Sequence, residues 1–190
     1  MEPSIEYKIV LPDNPFTIGV FLSGGLDSAI LYYILLKLNA GKHTIVPLTL
    51  VKNVHSVKFA QNILNYIHSS LSLPPAPIKV LPGVDVKNSI NEMYSDGFQQ
   101  VYVGQIKELP EFLVGWESTA HPENRFFKAP FKNLTKAEIV KLVIEQKQET
   151  LFYLTHTCAT QEVGRCGECN RCRERKWAFD SLALTDPGVL

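Results

Sequence analysis

The spacing of apolar positions along the chain changes period several times, and each change marks an element. Residues 17 to 22 form a short, continuously apolar run, the pattern of a strand covered on both faces in a parallel sheet. A glycine pair ends it. From Ser28 to Leu38 the apolar residues Ala29, Ile30, Leu31, Ile34, Leu35 and Leu38 recur at helical spacing, and Asn39 with Gly41 supplies the stop. The alternation then repeats. Residues 44 to 51 read as a strand and residues 55 to 71 as a helix whose face carries Ala60, Ile63, Leu64, Ile67 and Leu71. Residues 78 to 81 are a further strand, Val86 to Met93 a third helix and Val101 to Val103 a fourth strand. Pro47 fits the second strand poorly, because an interior strand cannot spare a ladder donor without a bulge.

Residues 105 to 127 have no clear period and contain Pro110, Gly115 and Pro122, so they read as a long crossing loop. Thr135 and Glu138 then match a capping box that opens a fourth helix at Ile139, Val140, Val143 and Ile144. Residues 4 to 10 read as an extra antiparallel strand, turned by Asp13-Asn14 into the first buried one. The pattern predicts an α/β fold: an open, mostly parallel sheet with helices on both faces and a ligand crevice at the carboxyl ends of its strands. Residues 1–154 would form this domain, and residues 155–190 a small cysteine-bearing tail packed on it.

Composition narrows the partners. Lys+Arg number 19 and Asp+Glu 19 in 190 residues, so no basic excess points to nucleic acid and the expected substrate is small. The N-terminal residues lack the cationic stretch and apolar core of a secretory signal, and no apolar run reaches the roughly 18 residues of a membrane span. A cytoplasmic setting, with no membrane and no direct nucleic-acid contact, is the expectation. In that reducing compartment cysteines serve as metal ligands or catalytic groups rather than disulfides.

Two motifs carry chemistry. Ser23, Gly24, Gly25, Leu26, Asp27 and Ser28 lie between the first buried strand and its helix, where free backbone N–H groups and the helix dipole favour an anion. Glycine permits close approach to a phosphate, and the two serines can donate hydrogen bonds to it. Asp27 would repel bare phosphate and implies an intervening divalent cation, Mg2+. No Gly-x4-Gly-Lys-Ser/Thr signature occurs, which excludes the lysine cradle of kinase-like γ-phosphate chemistry. The competing reading is a plain turn with Ser and Asp as helix caps. The second motif is Cys158, Cys166, Cys169 and Cys172, spaced C-x7-C-x2-C-x2-C. Four thiolates close a tetrahedral Zn2+ site with no open position, so a metal there would be structural. An iron–sulfur cluster or unliganded thiols are the alternatives, although the fourth cysteine precedes the triplet, unlike the bacterial ferredoxin run.

The phosphate loop resembles the SGGxDS motif of the PP-loop ATP pyrophosphatases. Together with Pro130 to Ile139, which matches "PLxxLTKxEI", and Thr155 to Arg175, which matches "TxSC…CGxCxxCxxR", the motif order is similar to the 7-cyano-7-deazaguanine synthase family. That resemblance implies an adenine nucleotide alpha hydrolase-like fold and a ligase that converts 7-carboxy-7-deazaguanine and ammonia to the nitrile. The carboxylate attacks the α-phosphorus of ATP, ammonia turns the acyl adenylate into an amide, and adenylation of the amide oxygen permits loss of AMP. In this scheme Ser23, Gly24, Gly25, Leu26, Asp27 and Ser28 bind ATP and Mg2+, with Asp27, Ser23 and Lys136 as catalytic candidates. A homodimer is the candidate assembly. Lys136 reads equally as a solvated helix-start lysine, and Arg175 as a surface ion pair.

The chain departs from the family in two places. After the fourth strand the Tyr-Pro-Asp-Cys-Arg core of "GANxxDYSGYPDCRxEF" is replaced by Gly104 to Phe112, and after the second strand only His55 is kept from Asp-Tyr-Gly-Gln-Arg-His. His55 alone reads as a helix cap or surface group. Trp116, Phe126 and Phe127 are candidates to stack on a flat heterocycle or to fill the core. His43, His68 and His121 have no partners at ligand spacing. Three rival functions remain: transfer of a related activated acid to another amine in a nucleic-acid modification or defence pathway, tRNA thiolation, and a non-catalytic nucleotide-binding partner. Thiolation would need a cysteine beyond the four already grouped.

Overall fold

The computed structural model describes residues 5–51, 54–81, 89–112 and 124–188. Among the described residues five strands form one sheet in the order β3-β2-β1-β4-β5, and every neighbouring pair is parallel. They are β1 (Thr17–Phe21), β2 (Thr44–Leu50), β3 (Lys79–Leu81), β4 (Gln100–Tyr102) and β5 (Phe127–Lys128). The helices are α1 (Leu26–Asn39), α2 (Val54–Ser70), α3 (Ile90–Ser95), α4 (Lys136–Glu145), α5 (Leu151–Leu154) and α6 (Asn170–Asp180).

Strand alternation divides the core into two layers. Ile18, Val20 and Leu22 face a large cluster shared with α1, α2, α4, α5 and α6, while Phe21, Leu48, Leu50, Val101 and Met93 of α3 form a smaller cluster on the opposite side. Helices therefore flank both faces, unequally. The chain winds outward from β1 through β2 to β3, then returns across β1 to β4, which puts the reversal of direction beside β1. In open α/β sheets a ligand crevice opens at such a reversal, at the carboxyl ends of the strands. Gly19 serves this packing in a specific way: a Cβ there would lie 2.6 Å from a Leu48 methyl and 3.3 Å from a Val101 methyl.

α1 is buried almost all round, including Tyr32, Tyr33 and Leu35, because α2, α4 and α5 surround it. A helix buried in this way is fixed in position, and so is the turn that leads into it. Tyr32 donates to His68 Nε2 at 2.8 Å, and His68 Nδ1 contacts the Pro74 carbonyl, which satisfies that buried pair. The predicted capping box is present at α4: Glu138 N–H donates to Thr135 Oγ1, and Thr135 N–H donates to the Glu138 carboxylate at 2.7 Å.

Pro47 sits inside β2, opposite Val20. The Leu48 carbonyl accepts from Leu22 on the β1 side. Backbone groups of successive strand residues point to alternate sides, so the missing Pro47 donor faces β3. The register of β3 with β2 begins only at Leu48, and no ladder bond is lost.

Three expectations change. Residues 5–10 form no strand. β1 already has β2 on one edge and β4 on the other, which leaves no edge for an antiparallel neighbour. Instead Ile5, Tyr7, Ile9 and Leu11 pack on the larger cluster, with Tyr7 edge-on to Phe131 at 5.7 Å between ring centres. The crossing segment ends in β5 rather than in loop, and it contains a short 3-10 turn at Pro110–Phe112. The third helix, read as Val86 to Met93, is described only from Ile90, with residues 86–88 outside the described set. No helix among the described residues is long and apolar enough to cross a membrane.

Candidate functional site

The loop from Ser23 to Ser28 runs from the end of β1 into the first turn of α1, at the carboxyl edge of the sheet. Gly24 has φ +87°, a conformation that requires glycine. Ser28 Oγ accepts from Ser23 N–H at 3.1 Å and donates to the Gly25 carbonyl at 3.0 Å, and it lies 3.1 Å from Ser23 Oγ. These bonds close the loop on itself and hold both hydroxyls at its mouth. The N–H groups of Leu26, Asp27 and Ser28 belong to the first turn of α1, where no helical acceptor exists.

Two distant segments clamp the loop. His156 N–H donates to the Gly24 carbonyl at 2.9 Å, while its ring stacks on Phe59 and its Nε2 lies 3.1 Å from the Gly164 carbonyl. Gly104, just beyond β4, passes so close to the start of α1 that a Cβ would stand 2.7 Å from Ser28 N. No other residue fits there without moving backbone.

Lys136 is not a solvated lysine. It is 5% exposed, and its Nζ donates to both oxygens of Asp27 at 2.6 Å. Glu174 of α6 lies 4.0 Å from the same ammonium, and Arg171 links Glu174 and Glu108 at 3.8 Å each. Glu174 is 3% exposed, and among the described residues its Oε2 has no hydrogen-bond partner. Burial pushes this carboxyl up, and Lys136 partly offsets the shift.

Arg175 is not a surface ion pair either. It is 1% exposed and donates from Nε and Nη2 to Asp186 at 2.8 and 2.9 Å, from Nη2 to the Phe152 carbonyl at 2.7 Å, and from Nη1 to Thr155 and Thr157 at 3.1 and 3.3 Å. Arg165 also pairs with Asp186. Burial opposes ionisation of Asp186, but the hydrogen bonds and charge of Arg175 win and hold its carboxyl below the ordinary range.

The four cysteines converge, with all Sγ atoms within 4.8 Å of one another. Backbone N–H groups aim at the sulfurs, from Gln161 to Cys158 and from Cys169 to Cys166 at 3.2 Å each. Burial opposes ionisation of Cys158, yet the Thr160 hydroxyl and nearby backbone groups bring its thiol down to about 5. Burial pushes Cys172 up to about 12.

Residues 92–183 match the family model described as "Queuosine biosynthesis protein QueC". Over those residues the chain is similar to the QueC family. A 7-cyano-7-deazaguanine synthase from Methanobrevibacter smithii is 37% identical over 81 residues, 43% of this chain and 35% of that protein. One from Oceanobacillus iheyensis is 24% identical over 165 residues, 78% of this chain and 73% of the relative. The match to the first QueC relative thus spans about a third of its length. Among solved structures, the U34-tRNA thiolase NcsA from Methanococcus maripaludis with its [4Fe-4S] cluster aligns with a TM-score of 0.52 at 12% identity, covering 89% of this chain and 66% of that one. That likeness concerns the fold alone, and it agrees with the PP-loop architecture.

The other sequence candidates fall outside this loop-centred site or outside the described residues. Phe126 and Phe127 are buried in the smaller core layer, Phe126 stacked on Tyr94 at 4.2 Å, and they are filled-core aromatics rather than a heterocycle platform. Trp116, His121 and the His55 side chain lie outside the described residues. His43 accepts from Phe16 N–H, and it and His68 serve structure. Glu174, Gly104 and His156 were missed as contributors. Glu174 and Arg175 could have been found, because with Ala178 they lie at helical spacing on the buried side of α6.

Proposed function

We propose that the chain is an ATP-dependent carbon–nitrogen ligase of the QueC type, which adenylates a 7-carboxy-7-deazaguanine-like acid and passes the acyl group to ammonia. The single observation that carries this reading is the placement of Ser23, Gly24, Asp27 and Ser28 at the sheet reversal, with Lys136 bound to Asp27. The relatives named 7-cyano-7-deazaguanine synthase supply the substrate class.

In this reading the backbone N–H groups of the first α1 turn and the Ser23 and Ser28 hydroxyls hold the β- and γ-phosphates. They stabilise negative charge as pyrophosphate leaves. Lys136 adds a positive charge at the loop, and Asp27 orients that lysine while keeping acceptor capacity for Mg2+. A magnesium ion there would neutralise phosphate charge. No side-chain nucleophile is needed, since the substrate carboxylate attacks the α-phosphorus itself. Cytoplasmic placement and a homodimer belong to the same proposal.

The four thiolates fit one Zn2+ as a structural ion that holds residues 158–172 together, in place of a core that the short tail cannot build. Sulfurs around one tetrahedral zinc stand about 3.8 Å apart, close to the 4.0 Å between Cys158 and Cys169. A four-iron cluster gives each cysteine its own iron and spreads the sulfurs further. Metal analysis should find zinc near one equivalent; iron with visible absorption would overturn this part.

The test of the activity is exchange of labelled pyrophosphate into ATP, with and without 7-carboxy-7-deazaguanine, followed by mass spectrometry of the product with ammonia. Asp27→Asn should lower exchange by about a hundredfold or more with the fold retained. Acid-dependent exchange without nitrile would favour a related acid or another amine as the true pair. No exchange under any condition would leave a nucleotide-binding partner and remove the ligase reading.

A further inference from the structure

Buried polar atoms are nearly always hydrogen-bonded, so one that is not requires a reason. Among the described residues Glu174 Oε2 is such an atom. It is a carboxylate oxygen, inside the protein, and it lies 4.0 Å from an ammonium that is instead bonded at 2.6 Å to both oxygens of another carboxylate. Arg171 at 3.8 Å is the other cation near it, and that side chain is shared with Glu108. The row Asp27, Lys136, Glu174, Arg171, Glu108 alternates in sign from the phosphate loop to the segment after β4. Three carboxylates face two cations, and the Lys136 ammonium stands between the first two of them.

We propose that Glu174 is a positioning residue for nucleotide binding: it offers the Lys136 ammonium a second carboxylate and thereby loosens the hold of Lys136 on Asp27. This rests on the phosphate-loop reading given above. An ammonium with one buried carboxylate partner pairs with it fully, because leaving either charge alone in the interior is costly. Under that condition Asp27 would stay committed to Lys136, and the loop would present a neutralised pair to an incoming nucleotide. With Glu174 behind it, Lys136 can shift its weight by a small movement of one flexible side chain. Asp27 is then able to face a phosphate-bound cation, and Lys136 remains in place to face the phosphate. The missing hydrogen bond on Oε2 is the vacancy this movement uses.

A purely structural Glu174 makes the opposite forecast. If the residue only braces α6 against α4, its loss lowers stability and leaves nucleotide affinity alone. If it positions Lys136, removal of an under-bonded buried carboxylate leaves stability unchanged or raises it, while nucleotide binding weakens.

The experiment is calorimetric titration of the zinc-loaded chain with ATP and magnesium, in the absence of any acid substrate, alongside thermal unfolding. Glu174→Gln should raise the Kd for ATP about fivefold to tenfold with a melting temperature equal to or above the parent. Glu174→Asp should recover part of the affinity. In a Lys136→Met background the Glu174→Gln change should have no further effect on Kd, because the ammonium it acts through is gone. An unchanged Kd in Glu174→Gln, or the same penalty with and without Lys136, overturns the inference while leaving the phosphate loop standing. If the parent chain itself binds no ATP, the phosphate-loop reading fails and this inference fails with it.

Discussion

Glu174 and Arg175 are neighbours on one helix, both charged and both almost wholly buried, yet their surroundings are opposite in kind. Around Arg175 every guanidinium donor is used: two hydrogen bonds to Asp186, two to threonine hydroxyls and one to a backbone carbonyl. Around Glu174, among the described residues, one oxygen has no hydrogen bond, and the Lys136 ammonium 4.0 Å away is bonded to Asp27 instead. A buried charge whose bonds are complete defines geometry, and one whose bonds are incomplete can exchange partners. The first network fastens the C-terminal segment to the domain. The second reaches the loop of residues 23–28 through Lys136 and Asp27.

The comparison can be broken most directly at its completed half. Arg175→Leu should cost about 3 to 5 kcal/mol of unfolding free energy, because it removes five hydrogen bonds from the interior and leaves Arg165, among the described residues, as the cation partner of Asp186, and urea unfolding measures it. A loss near zero would show that the two networks do not differ. Gly104→Ala tests the backbone side of the loop. Its new methyl would meet Ser28 N at 2.7 Å, so stability should fall by about 1 to 3 kcal/mol and ATP affinity should fall with it.

Acid titration sharpens the same contrast. Asp186 ionises at lower pH in the folded chain than in the unfolded one, so on acidification the unfolded chain takes up the proton first. Its stabilising contribution is complete above about pH 4 and is lost as pH falls through the depressed folded value. Asp186→Asn should therefore flatten the acid limb of a stability-against-pH curve measured by thermal melts. The smallest expected effect is at Thr135, where replacement by Ala removes the cap of α4 and should cost about 1 kcal/mol.

Local signals in the sequence identified much of this architecture. The apolar run before Gly24 and the periodic residues after Ser28 placed β1, the loop and α1 correctly, and the Thr135 and Glu138 spacing placed α4. The cysteine spacing placed four sulfurs together. What escaped was long-range. β5 is two residues long and forms because β4 offers it an edge, so no periodicity could reveal it. Residues 5–10 alternate like a strand but meet a sheet with no vacant edge at β1. Lys136 reads equally as a catalytic candidate and as a solvated helix-start lysine because nothing within its own segment discloses Asp27, which is brought to it by the packing of α4 on α1.

The bond from His156 to the Gly24 carbonyl joins the first glycine of the loop to a residue far down the chain. A ribosome that has delivered only the first 150 residues has already released the five described strands, yet the turn beside them lacks its His156 clamp. In the proposed reading, competence to take up nucleotide therefore arrives late in synthesis, after the segment that carries His156 has emerged and docked.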